Sequence, residues 1–204
     1  MRSRTVATLA LLCLAPAAVA WTAAREPLAL QPESRLWVDG TSTVRSFTCT
    51  ATSFETRVES SVPNGVSAIV AGTKAVQRAE LAVPAASLDC RNGKMNEHML
   101  KALKADANPT IVFRITSYEV ARATAGADGS AVGELTLGGV TKSITVSAHA
   151  VQEPGGVLRL TGAREIRMTE FGLKPPSLMM GTLKVDDRVT VGFDLLLKGQ
   201  APIS

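Results

Sequence analysis

From Leu183 to Leu197 every odd position is apolar except Asp187: Leu183, Val185, Val189, Val191, Phe193, Leu195 and Leu197. The even positions between them are mostly polar, with Lys184, Asp186, Arg188, Thr190 and Asp194 among them. A period of two held this long specifies a strand with one dry face and one wet face. Typical strands run about five or six residues. A chain that makes longer half-buried strands has one economical use for them, a sheet that closes around its own apolar interior.

The rest of the chain repeats the pattern. Leu36 and Val38 share a side in a first strand over Ser34–Ser42, and a long second strand is expected over Val44–Val62. Pro63-Asn64-Gly65 reads as a turn, because proline fixes one dihedral and Asn-Gly supplies positive φ. Strands are expected next at Val66–Ala71 and Val76–Pro84. Met95, Met99, Ala102 and Leu103 then fall at helical spacing, which predicts a short helix over Asn96–Ala105, capped by Asn92 or Asn96 and stopped at Asn108-Pro109. Alternation resumes at Ile111, Phe113 and Ile115, then over Ala131–Leu137, Ile144–Ala150 and Val157–Met168. The fold expected is all-β, an eight-stranded antiparallel lipocalin-like barrel with one short helix; a two-sheet sandwich is the rival.

The chain has 204 residues, and its start reads as a targeting segment. Arg2 and Arg4 precede an apolar run from Val6 to Val19 that ends in Ala18-Val19-Ala20, the pattern of a secretory signal peptide over residues 1–20. The run is shorter than the roughly 20 residues of a spanning helix. Cys13 lies within it, and the bulky Leu12 argues against a lipoprotein cysteine. Residues 21–33 lack periodicity and read as a flexible N-terminal segment before a single domain at 34–199. A periplasmic or secreted location follows as an expectation, and there the remaining pair, Cys49 and Cys90, reads as a disulfide.

Composition narrows the function. The formal net charge of +4 includes the arginines of the signal, and aromatic residues are 4% of the chain. Neither a basic stripe nor a stacking platform is present, so nucleic acid is excluded as a partner. One Tyr, two Trp and five Phe give no aromatic girdles for a transmembrane barrel. His98 sits on the helix without ligand partners, His149 lies on a wet face, and Asp186-Asp187 are flanked by Lys184 and Arg188. No nucleophile elbow, paired-His metal motif or phosphate loop occurs. No catalytic residue, metal or cofactor is therefore assigned. An enzyme using His98 or Asp187 is the less favoured alternative. What remains is the interior. Ala148, Ala150, Gly133 and Gly162 are small inward candidates that leave room for an aliphatic ligand. The alternative is a filled barrel, a structural or interaction module with the helix as its plug. Leu178-Met179-Met180 is flexible and apolar enough to line a mouth.

Several segments together resemble one family. Trp37-Val38-Asp39-Gly40-Thr41-Ser42-Thr43-Val44-Arg45-Ser46-Phe47 is similar to the opening of YceI-like proteins. So are Leu88-Asp89-Cys90-Arg91-Asn92-Gly93-Lys94-Met95-Asn96-Glu97-His98-Met99, then Ala102-Leu103-Lys104 and Pro109-Thr110-Ile111-Val112-Phe113. Gly133-Glu134-Leu135-Thr136-Leu137, Gly139-Val140-Thr141-Lys142, Phe171-Gly172-Leu173, Gly181 and Val185–Leu197 complete the match, which spans about Ser34 to Lys198. The resemblance implies an exported lipocalin-like barrel that holds a long polyisoprenoid or similar amphiphilic lipid without catalysis. Alternation and the implied fold together select Phe113, Ile115, Leu135, Ile144, Val146, Val191 and Phe193 as ligand-binding residues, with Met99 and Met179 nearer the mouth. Transient membrane contact and a homodimer are compatible with such a carrier. Gly138 departs from the family, which often has His at that place.

Overall fold

The computed structural model describes residues 26–178 and 182–200. The expected signal peptide and Met179 lie outside them. Twelve strands and two α-helices are arranged as an antiparallel barrel.

Three of the barrel's staves are each broken once. β1 (Glu26–Leu30) and β2 (Arg35–Ser42) are consecutive pieces of the first, β3 (Ser46–Ala51) and β4 (Glu55–Ser60) of the second, β5 (Val76–Pro84) and β6 (Leu88–Asp89) of the third. The other five are β7 (Thr110–Arg122), β8 (Ala127–Leu137), β9 (Val140–Glu153), β10 (Val157–Arg167) and β12 (Leu183–Gly199), with the two-residue β11 (Ser177–Leu178) beside the last. The ring runs β1-β4-β5-β7-β8-β9-β10-β12 and returns to β1, whose Leu28 stands opposite both Val58 and Gly199. The eight-stranded closure expected from alternation is what forms.

Two expectations are corrected. Glu26–Leu30, inside the segment expected to be flexible, is a strand that completes the ring. Pro27 interrupts the alternation that Leu28 and Leu30 carry, which hides it. Val66–Ala71 is not a strand: Gly65–Val70 forms a helix, α1, so the described residues hold two short α-helices instead of the one expected. Its β-branched residues favour a strand locally. Val66, Ile69 and Val70 nevertheless stand at helical spacing, and burial of Val66 and Ile69 in the end of the barrel decides the outcome. Asn64, in the left-handed conformation, starts the helix, and Gly65 N donates to Glu26 Oε2 at 2.8 Å.

The other helix, α2, spans Gly93–Ala102, three residues earlier than expected, with Asn92 accepting from Met95 N at 3.1 Å as its cap. The barrel is thus plugged at one end by α1 and roofed in part at the other by α2.

β12 also explains its one irregular position. Its register against β2 shifts between Val185 and Val189, so Asp187 stands in a bulge and leaves the inward row. β9 and β10 pair only as far as Ser147 and Ala163, although β10 stays paired with β12 to Arg167. Beside that split lies a 3₁₀ turn, Met168–Phe171. Its Phe171 and the following Leu173 are buried against Leu135, Leu137 and Ile166, with Val140 and Ile144 packed on the same cluster.

Candidate functional site

The barrel is hollow. Between the α1 plug and α2 lies a cavity of about 700 Å³, within the roughly 300–1,000 Å³ of small-molecule sites. The filled-barrel alternative therefore does not hold.

Strand parity places the wall. The inward rows include Leu36 and Val38 on β2, Ala79, Leu81 and Val83 on β5, and Ile111, Phe113 and Ile115 on β7. Ile144, Val146 and Ala148 come from β9, and Val189, Val191, Phe193 and Leu195 from β12. Of the nine residues selected from sequence, Phe113, Ile115, Leu135, Ile144, Val146, Val191, Phe193 and Met99 all line this one cavity. Met179 lies outside the described residues. α2 supplies Met95, His98, Met99, Ala102 and Leu103, yet none of its residues is fully buried. An apolar helix face that looks onto empty space stays half covered.

The small residues do a different job from the one expected. The ring of Phe113 lies where a Cβ on Gly133 would be, and the ring of Phe193 covers Gly162 in the same way. Phe47 covers Gly40, its cross-strand partner. These glycines let three phenyl rings lie flat against the wall. Without that clearance each ring would have to shift. Ala150 belongs to the buried cluster around α1 instead of the cavity. Ala148 does line the cavity, as do Ala79 and Ala131, which sequence reasoning did not single out.

The rim was also missed. Ser42, Val44 and Arg45 of the β2–β3 hairpin and Asn92 and Lys94 of the α2 start line the cavity where it opens, and Val44 is 69% exposed. The Cys49–Cys90 disulfide forms as expected and ties β3 to the α2 segment. It stands on the cavity wall, with Cys90 Sγ 3.7 Å from Met99 Sδ. Arg164 belongs to the inward row of β10, and the parity of Leu158, Leu160, Gly162 and Ile166 was the signal for it. Gly138 has φ 57° and lies under Leu173, so no side chain reaches inward from that place.

The polar candidates are occupied elsewhere or isolated. Asp187 accepts from Thr169 N at 2.8 Å and from Thr169 Oγ1 at 2.7 Å. Those two bonds, chiefly the hydroxyl's, hold its pKa below the ordinary value, so it pins the bulge to the 3₁₀ turn. His149 Nδ1 is 2.7 Å from Asp128 Oδ1 on the outer face. His98 lines the cavity and belongs to no group of three or more potential metal ligands among the described residues. Asp89 lies at the mouth end, and its carboxylate accepts from Asn96 Nδ2 and Arg91 N, which lower its pKa. Thr56 Oγ1, on the wall strand β4, is buried and without a hydrogen-bond partner among the described residues. The geometry offers a largely apolar lumen with a polar rim.

Residues 37–197 match the YceI-like domain. The chain belongs to that family. Curated protein sequences give no match. Among solved structures the chain is similar to BcnA of Burkholderia cenocepacia, at TM-score 0.64 and 20% identity, over 80% of this chain and 96% of that one. It is similar as well to a polyisoprenoid binding domain from Saccharophagus degradans implicated in plant cell wall breakdown, at TM-score 0.60 and 13% identity, over 88% and 100%. A YceI protein of Campylobacter jejuni aligns at TM-score 0.54 and 14% identity, over 74% and 82%. At these identities the likeness carries the fold: this YceI-like chain shares their barrel.

Proposed function

We propose that this protein carries or stores a long-chain amphiphilic lipid of the polyisoprenoid kind, without catalysis, in the cell envelope. The observation that carries the reading is the lumen itself: about 700 Å³, walled by aliphatic and phenyl side chains, closed by α1 and open at the rim. Each methylene transferred from water into such a wall contributes about 0.8 kcal/mol. A hydrocarbon tail therefore gains with length, whereas a sugar or nucleotide would leave its polar groups unpaired. The Saccharophagus domain, whose description names polyisoprenoid binding, supports the ligand class. The basic and apolar start of the chain supports export, as does a disulfide suited to an oxidising compartment.

Native mass spectrometry of protein purified from its own host tests this. The expected result is a copurifying lipid that is absent from Ala148→Phe, whose added ring would occupy the lumen. Wild-type protein that is consistently empty and takes up nothing from lipid extracts would overturn the reading.

A further inference from the structure

The cavity wall carries three Lys or Arg side chains and one acid. Arg45 at the tip of the β2–β3 hairpin and Lys94 in the first turn of α2 both line the cavity and are both exposed. Arg164 stands on the same wall, beyond the point where β9 and β10 cease to pair. Among the described residues none of these three has a carboxylate partner. The one acidic residue of the wall, Glu80, is engaged by Arg114 Nε at 3.1 Å. Lys94 occupies the start of a helix whose first turn holds no acid, a place where the helix dipole favours an anion over a cation. The two rim cations thus have no ion-pair partner among the described residues, at a polar end of a mostly apolar site.

We infer that the rim is an anion subsite, so that the lipid held in the lumen ends in an acidic head group, a phosphate ester or a carboxylate, placed between Arg45 and Lys94. This rests on the lumen reading above and adds the head-group class to it. A tail drawn into the lumen leaves its head at the wet end, where cations need not be desolvated and where a neutral hydroxyl would leave both charges unanswered. Charge-assisted hydrogen bonds from guanidinium and ammonium groups to such oxygens are the stronger kind. Because the rim faces water, the preference weakens as salt rises.

The test is calorimetric titration of the delipidated protein with three ligands of one tail: geranylgeraniol, geranylgeranyl monophosphate and geranylgeranoic acid. At low salt at least one acid should bind roughly tenfold tighter than the alcohol, and the gap should narrow at high salt. Whichever acid leads identifies the head group. Arg45→Ala combined with Lys94→Ala should bring the acid-to-alcohol ratio towards one, and Arg45→Glu should reverse it. Arg122→Ala, a cation change at the plugged end, should leave the ratio as in wild type. Equal binding of alcohol and acids at low salt, or a gap that survives the double variant, overturns the anion subsite while leaving the lumen reading intact. Failure of all three tails to bind removes the lumen reading and this inference with it.

Discussion

At the plugged end, Leu158 and Leu197 are 1% and 0% exposed, packed with Leu28, Val66 and Ile69 around α1. Around the lumen, Ile115 on β7, Ile144 and Val146 on β9 and Val191 on β12 are only half-buried, because they face the cavity. The residue types are the same and so is the alternation. The difference is what each side chain meets: six to twelve neighbours in a packed core, or a lumen. One end supplies stability, and the other keeps apolar surface available for a ligand.

Truncation should separate the two regions most sharply. Leu158→Ala leaves a void among close-packed neighbours and should cost about 2–5 kcal/mol. Val146→Ala borders space already and should cost about 1 kcal/mol or less. Urea unfolding of both variants measures the contrast, and equal losses would break it. Removal of the disulfide as a Cys49→Ser, Cys90→Ser pair should cost about 3–4 kcal/mol through the freed loop. The chain separation it bridges is 41 residues. Hydrogen exchange should then rise in α2, which it tethers, and not in α1. Gly40→Ala is the finest probe, since the atoms nearest its new Cβ are those of the Phe47 ring. It should cost about 1–3 kcal/mol and weaken long-tail binding as the ring swings into the lumen; adding Phe47→Leu should restore capacity.

The long staves were legible because parity is a strong local signal. β9 and β12 announce themselves from Ile144 to Ala150 and from Leu183 to Leu197, and alternation together with the implied fold put seven chosen strand residues around one cavity, with Met99 of α2 beside them. The departures have equally local causes. Pro27 masked the closing strand, and the β-branched Val66, Ile69 and Val70 looked like a strand until tertiary burial made them a helix. Gly133 and Gly162 looked like empty space because a sequence does not show which ring lies over a glycine. The rim escaped notice for another reason: whether Arg45 and Lys94 have partners depends on pairings between distant segments, and no spacing rule encodes them.

The closing strand has a further consequence for how the chain matures. Leu28 meets Gly199 and Leu30 meets Leu197, so the seam joins nearly the first described residues to nearly the last. No shorter translation product can complete this seam, and a chain stopped before Leu183 would lack β12 and present two unpaired edges and a greasy inner sheet to proteases and to other copies of itself. Assembly has to wait for the whole polypeptide, and pairing across so wide a sequence gap is slow. That delay fits the export proposed above, in which the chain would cross a membrane before it folds.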